Sequence, residues 1–390
     1  MAWLVLAGLP MVIWLYLFLL RGAYWRRNIR LESDVEEAIA EWPPVVVVVP
    51  ARDEAETLSD TLPALLRTDY EGAFRVVLVD DESTDGTGER AEAIARDLSA
   101  SDRLTVVRGE KRRKGWRGKV WAMAQGVRVA ETDRPVFVLF TDADIRLSPG
   151  VLPALVRRAQ DEELDLVSVM AHLRLDSAWD RILIPAFVYF FAKLYPFRWS
   201  RSARRRTAAA AGGCALVRLD RLRAAGGVAK IASAVIDDCA LAALIKRAGG
   251  RLWIGFSDGV SSVRRYGTLR STWEMVARSA YAQLHYSPWI LAGTVLGMLL
   301  VYIIPWVLLV VGLSLPGSDA RAPLLVLLCG VSILLMLASY VPTARAYQLG
   351  ARYLFGLPVA AGLYTMMTIS SGWRVWRGRP TQWKGRDVST

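Results

Sequence analysis

Histidine is nearly missing from this chain of 390 residues: His172 and His285 are the only two, and neither sits in a recognisable pattern. That leaves too few imidazoles for a histidine-based metal site or triad, so acid–base chemistry falls to carboxylates. Cysteine is nearly as scarce. Cys214, Cys239 and Cys329 have no paired spacing, which argues against a disulfide framework and a zinc site. Internal repeats and low-complexity tracts are also missing. Negative charge is in deficit: 37 Asp and Glu stand against 49 Lys and Arg, a net charge of +12. Such an excess fits a nucleic-acid binder or a protein lying against an anionic leaflet. The apolar runs described next demand a membrane in any case, so a membrane is the expected partner and nucleic acid is not.

Hydrophobic residues are abundant, at 53%, with a mean hydropathy of +0.27. They concentrate in residues 2–20 and again after 288, while charge gathers between 21 and 287. Residues 2–20 are uncharged over about the length a helix needs to cross a bilayer. Arg21, Arg26, Arg27 and Arg30 follow, no basic region precedes, and no small-residue cleavage pattern is present. The stretch reads as a retained anchor with the next domain on the cytoplasmic side. The expected layout is an anchor at 1–21, a cytoplasmic domain at 22–287, a membrane region at 288–373 and a basic tail at 374–390. That corresponds to a multi-pass protein of a bacterial-type inner membrane. Residues 289–313 and 323–342 are strong spans, and 353–372 is a weaker third, with Pro358. If all three cross along with the anchor, the tail ends outside. Yet Arg374, Arg377, Arg379, Lys384 and Arg386 favour the cytoplasm, so 353–372 is expected to be re-entrant or interfacial. Residues 182–197 are apolar and aromatic but short for a span, and read equally as an interfacial segment or a buried helix. Trp289, Trp306, Trp373, Trp376 and Trp383 fit interfacial belts.

Between 45 and 257 short β-branched runs alternate with helical stretches. VVVVV at 45–49, RVVLV at 75–79, LTVV at 104–107, VFVLF at 136–140 and LDLVSV at 164–169 read as strands. Helical stretches cover 54–67 and 86–98. Continuous apolar strands between helices predict a mostly parallel α/β sheet covered on both faces. Ligands then bind beyond the carboxyl ends of the strands.

Acidic clusters follow those apolar segments: Pro50-Ala51-Arg52-Asp53-Glu54, Asp80-Asp81-Glu82-Ser83-Thr84-Asp85 and Asp142-Ala143-Asp144, then Asp237-Asp238 opening a helix. One carboxylate after a strand usually caps the next helix, and Asp53 or Asp85 could do only that. Three clusters converging on one sheet edge repel each other unless a cation or substrate compensates. In extended chain the carboxylates of Asp142 and Asp144 point to one side. Few hard oxygen ligands beside substrate phosphates suit Mg2+ or Mn2+. Asp237-Asp238 can supply a carboxylate base or merely cap its helix.

The segments VVVVVPARDE, VVLVDDESTDGT, the RGK ending at Lys119, VLFTDAD, AGGCAL and VIDDCALAALIKRAGGRLW together resemble the family 2 glycosyltransferases over residues 44–285. The resemblance implies a GT-A fold, Rossmann-like with flanking helices, joined here to transmembrane helices. It implies that Ala51, Asp53 and Asp81 line the nucleotide site with Asp80 nearby, and adds Lys119. It makes Asp142 and Asp144 the diphosphate and metal residues, and Asp238 the base with Asp237 in place of the family's Glu. Gly212, Gly213 and Arg278 would lie on the acceptor side. The donor implied is a nucleotide sugar, by family habit a UDP-sugar, and direct displacement would invert the anomeric centre. Processive and ceramide-type members carry Q-x-x-R-W on a later helix. Here that stretch is Met275-Val276-Ala277-Arg278-Ser279, of which only Arg278 remains, which argues against polymer synthesis. The anchor, the helix running on to RSAYAQLHYSP, the three C-terminal apolar segments and the WKGR tail look most like the hopene-associated glycosyltransferases. The acceptor implied is a hopanoid or related isoprenoid lipid.

Rival readings remain. A polyprenyl phosphate or a surface polysaccharide would suit the same chemistry. An inactive membrane scaffold predicts damage to the D-x-D or D-D pair, and both are intact. A receiver-like domain fails on spacing, since Asp142 lies 61 residues beyond Asp81. The run KRRKGWRGK at 111–119 fits a diphosphate grip, leaflet contact or plain solvation. Arg204-Arg205-Arg206 fits membrane-surface contact.

Overall fold

The computed structural model describes residues 2–32, 41–316 and 318–378, and the backbone of 382–383 and 386–387. Of the basic tail, Arg379 and Lys384 lie outside the described residues, and only the backbone of Arg386 is described. The chain divides into two compact units interleaved in sequence. One is Met1–Asn28, Leu175–Arg198 and Tyr266–Thr381; the other is Ile29–Arg174, Trp199–Arg265 and Gln382–Thr390.

The second unit is the α/β one. Its strands are β1 Val45–Ala51, β2 Phe74–Asp80, β3 Leu104–Arg108, β4 Phe137–Phe140, β5 Ile145–Leu147, β6 Leu166–His172, β7 Ala215–Arg218 and β8 Leu252–Ser262. They form one eight-stranded sheet in the order β3-β2-β1-β4-β7-β6-β8-β5. β3, β2, β1 and β4 run parallel, as do β6 and β8, while β7 and β5 are antiparallel to their neighbours. The expected strands at 45–49, 75–79, 104–107, 136–140 and 164–169 are all present. The valine run of β1 shows why it is continuous rather than alternating. Val45, Val47 and Val49 face the helix Ala55–Leu66, and Val46 and Val48 face the helix Gly118–Ala130. Both pleat faces are therefore buried. Gly126 lets that second helix lie close on the sheet, since a Cβ there would come within 2.3 Å of Val48.

This topology gathers loops at one edge. β1, β2 and β4 end there. β7 enters there because Ala215 pairs antiparallel with Phe140, which brings the preceding Gly212 and Gly213 alongside Thr141. β8 leaves there because Ser262 pairs with Ile145.

The other unit is helical. Ala2–Leu19 packs along Ala322–Ala346. Three helical stretches are long and apolar enough to cross a membrane: Pro288–Ser314, Ala322–Ala346 and Ala351–Trp376. The first contains a π-helical turn, Leu299–Ile303. The third holds an unbroken 21-residue helix, Gly356–Trp376, which lacks the chain reversal of a re-entrant loop. The aromatic segment forms the helix Ala178–Leu194, opened by a capping box between Ser177 and Asp180. It is a buried helix of this unit: Leu183, Ala186 and Tyr189 are core residues.

Candidate active site

At the edge where β1, β2 and β4 end, the acidic residues divide into two sets. The first builds loops. Asp53 sits at φ +50°, a left-handed conformation that Asp tolerates better than most side chains. Its N–H donates to Ser83 Oγ (3.0 Å) and its Oδ1 accepts from Thr84 N (2.8 Å). Asp80 accepts from Ser83 N (3.0 Å) and Gly88 N (3.2 Å). Asp85 accepts from Thr87 N (3.0 Å) and Ala55 N (2.9 Å), the first residues of two helices. It is a double cap, and its carboxyl lies below the usual range: burial pushes it up, but the hydrogen bonds from Thr87 and Ala55 outweigh that. Asp81 is fully buried, and its N–H donates to Ala51 O (2.8 Å). Ala51, Asp53, Asp80 and Asp81 are thus one stitched rim across β1 and β2.

The second set faces cations. Lys119, in the first turn of the helix Gly118–Ala130, reaches Asp142 Oδ1 (2.7 Å) and Asp237 Oδ2 (3.0 Å). Asp238 Oδ2 accepts from Gly212 N (2.8 Å) and its Oδ1 from Cys239 N (2.7 Å). The backbone of Gly212 is wedged in: a Cβ there would lie 3.2 Å from Lys119 Nζ and 3.4 Å from Asp238 Oδ2. Gly213 O accepts from Thr141 Oγ1 (2.8 Å). Asp142, Asp237, Asp238, Lys119 and Gly212 therefore meet in one cluster. Arg278 is the C-terminal cap residue of the helix Leu269–Ala277, which belongs to the other unit.

The D-x-D geometry differs from the extended-chain expectation. Residues 142–145 form a turn closed by Ile145 N donating to Asp142 O (3.0 Å). The two carboxylates consequently go to different cations. Asp144 Oδ2 accepts from Arg264 Nε (2.8 Å) and Ser262 Oγ (3.1 Å), and Arg264 also donates to Glu54 Oε1 (3.0 Å). Sequence reasoning missed Arg264 and Glu54. Glu54 was visible beside Asp53, but nothing in sequence tied it to an arginine 210 residues away.

The electrostatics follow from crowding. Burial pulls Lys119 down, but Asp142, Asp237 and Asp238 outweigh it and hold the ammonium above its ordinary value. Burial pushes Asp142 up to about 6, opposed by Lys119 and reinforced by Asp144 and Asp237. Burial, then Asp237, pushes Asp238 up to about 6 against Lys119 and the two backbone N–H groups. Five carboxylates thus share two cations: Asp142, Asp237 and Asp238 surround Lys119, and Asp144 and Glu54 meet Arg264. Among the described residues no group of three or more His, Cys, Asp or Glu could hold a metal ion. Asp142 and Asp144 alone still fit Mg2+ or Mn2+, which take one or two carboxylates together with substrate phosphates. Such binding requires Arg264 to release Asp144.

Residues 43–280 match the family model described as glycosyltransferase like family 2, and the chain belongs to that family. An N-acetylglucosaminyltransferase from Bradyrhizobium elkanii is 29% identical over 135 residues, covering 34% of this chain and 69% of the relative. An undecaprenyl-phosphate 4-deoxy-4-formamido-L-arabinose transferase from Pseudomonas aeruginosa is 35% identical over 144 residues, covering 35% of this chain and 38% of the relative. The chain thus spans little more than a third of the latter's length. Among solved structures, a mannosyltransferase from Pyrobaculum calidifontis in complex with GDP-Man and Mn2+ has a TM-score of 0.50 at 17% identity. It covers 94% of this chain and 99% of its own, and the likeness is one of fold.

Proposed function

We propose that this glycosyltransferase moves a sugar from a nucleotide-sugar donor, by preference a UDP-sugar, onto a membrane lipid with inversion at the anomeric carbon. The observation that carries the reading is the Lys119–Asp142–Asp237–Asp238 cluster at the carboxyl ends of β1, β2 and β4. The loop set, Ala51, Asp53, Asp80 and Asp81, forms the nucleotide rim. Asp142 and Asp144 would hold the divalent cation, which would neutralise charge on the departing diphosphate. Lys119 adds a fixed positive charge on the same side. Asp238 accepts the acceptor hydroxyl's proton as its oxygen attacks the anomeric carbon and the carbon–diphosphate bond breaks. Gly212 N–H aims that carboxylate. Gly213 lies beside it, and Arg278 stays an acceptor-side residue by resemblance alone.

The helical unit and the +12 charge support a membrane location in a bacterial-type inner membrane, with the α/β unit on the cytoplasmic side and the exposed Arg204-Arg205-Arg206 available to an anionic leaflet. The preferred acceptor is a hopanoid or related isoprenoid lipid. A polyprenyl phosphate is the second reading, favoured by the acceptor in the name of the Pseudomonas relative. A phosphate acceptor is already ionised and needs no base, so the two readings predict different sensitivity to Asp238→Asn.

The test is turnover of UDP- and GDP-sugars by the detergent-purified protein with total membrane lipid, in Mn2+, Mg2+ or EDTA. Metal-dependent release of UDP with a new glycolipid, both lost in Asp238→Asn, supports the first reading. Transfer to a polyprenyl phosphate that survives the substitution supports the second. Failure of every nucleotide sugar to bind would leave an inactive scaffold.

A further inference from the structure

A second cationic site lies in the helical unit, and nothing in the transfer reaction uses it. Lys193, in the last turn of the helix Ala178–Leu194, donates to Tyr302 Oη (2.7 Å). Its ammonium lies 4.6 Å from the Tyr302 ring centroid and 5.2 Å from that of Phe190. Arg21 Nε donates to Lys193 O (2.9 Å), which puts a second cation beside the first. Among the described residues no carboxylate pairs with Lys193. Tyr302 is fully buried and belongs to the π-helical turn Leu299–Ile303. Trp14 Nε1 donates to Val301 O (3.0 Å) in that turn. A π turn within an apolar helix marks functional positions more often than chance, and here it delivers the tyrosine hydroxyl to the lysine.

A half-buried ammonium on an apolar bundle is costly without a counter-charge. An ammonium and a guanidinium side by side make an anion site. Its place in the chain says what carries the anion. Arg21 follows the apolar helix Ala2–Leu19, which is rich in exposed hydrophobic side chains. Leu19, Leu20 and Leu194, the neighbours of the two cations in sequence, are exposed by 66%, 68% and 50%. The cations thus stand at one end of a greasy surface.

We infer that Arg21, Lys193 and Tyr302 bind the phosphate of a lipid whose chain lies along Leu19, Leu20 and Leu194. The site rests on the helical unit alone and does not depend on the transferase reading. Two sources share this chemistry, a polyprenyl monophosphate and a bulk phospholipid.

The full-length protein in neutral detergent would be titrated with farnesyl monophosphate, farnesol and inorganic phosphate by microscale thermophoresis. Farnesyl monophosphate should bind at least about tenfold more tightly than either fragment. Lys193→Met and Arg21→Gln should each weaken it about tenfold, the scale of one charge-assisted hydrogen bond. Lys193→Arg should retain most of it. Competition by dioleoylphosphatidylglycerol would assign the site to bulk phospholipid, and its failure to compete would assign it to a monophosphate. Both outcomes support the site. Equal binding of farnesol, or unchanged affinity in both charge-removing variants, would overturn it. Thermal unfolding and UDP binding, measured on the same variants, separate this result from a folding defect and from failure of the transferase reading.

Discussion

The rim at β1 and β2 and the cluster below β4 use the same residue type for opposite ends. Asp53, Asp80 and Asp85 direct their oxygens to backbone N–H groups of the loops and helices around them. Asp142, Asp144 and Asp237 direct theirs to Lys119 or Arg264, while Asp238 sits among them with a raised pKa. Carboxylates of the first kind are stabilising and of the second kind costly, because their mutual repulsion is only partly offset. A fold retains such a cost where a reaction uses it. The comparison therefore predicts that substitutions in the rim lose stability, and that substitutions in the cluster lose turnover.

The largest effect should come from Asp238→Asn. Removal of a general base costs on the order of 10²–10⁴ in kcat for a hydroxyl acceptor, with thermal stability equal to or above that of the parent. A fall in kcat under tenfold with a hydroxyl acceptor would remove Asp238 as the base. Lys119→Met should come next. It leaves Asp142 and Asp237 without their shared cation, so donor affinity should drop at least about tenfold and the protein should also lose stability. Gly212→Ala is expected to be milder, because its Cβ presses on Lys119 and Asp238. Its kcat should fall while KM for the donor changes little. Asp85→Ala sharpens the other half of the comparison. Capping two helices, it should cost about 1–2 kcal/mol in denaturant unfolding, yet leave turnover per folded molecule within a fewfold. The smallest effect is a pH dependence. The folded state binds the Asp238 proton more tightly than the unfolded chain does, since its pKa rises from the ordinary carboxylate value to about 6. Metal-free stability should thus fall as pH rises from about 4 to about 6, and Asp238→Asn should flatten that slope.

Much of this was legible in the sequence, for a physical reason. The valine run of β1 is buried on both faces, so composition alone announced the strand, and the loops at its carboxyl end announced the site. Asp142 and Asp237-Asp238 could be singled out because they follow an apolar strand or open a helical stretch, whereas Lys119 was found only through the resemblance to the family's motifs. What was not legible depended on pairings across the sheet. β7 and β5 are four- and three-residue antiparallel strands, too short to stand out by pattern. Arg264 reaches Asp144 only because β8 pairs with β5. The turn at 142–145 was likewise hidden, since D-A-D carries no glycine or proline to mark it. The helix Ala178–Leu194 read equally as interfacial or core until the structure buried Tyr189 among the other aromatic side chains.

The most direct measurement is UDP binding by calorimetry, with Mn2+ present, for the parent protein, Asp142→Asn and Asp238→Asn. Asp142 on the diphosphate side and Asp238 as base predict metal-dependent binding in the parent, its loss in Asp142→Asn and its retention in Asp238→Asn. Equal binding in all three, or none in the parent, would contradict the division of labour on which the account rests.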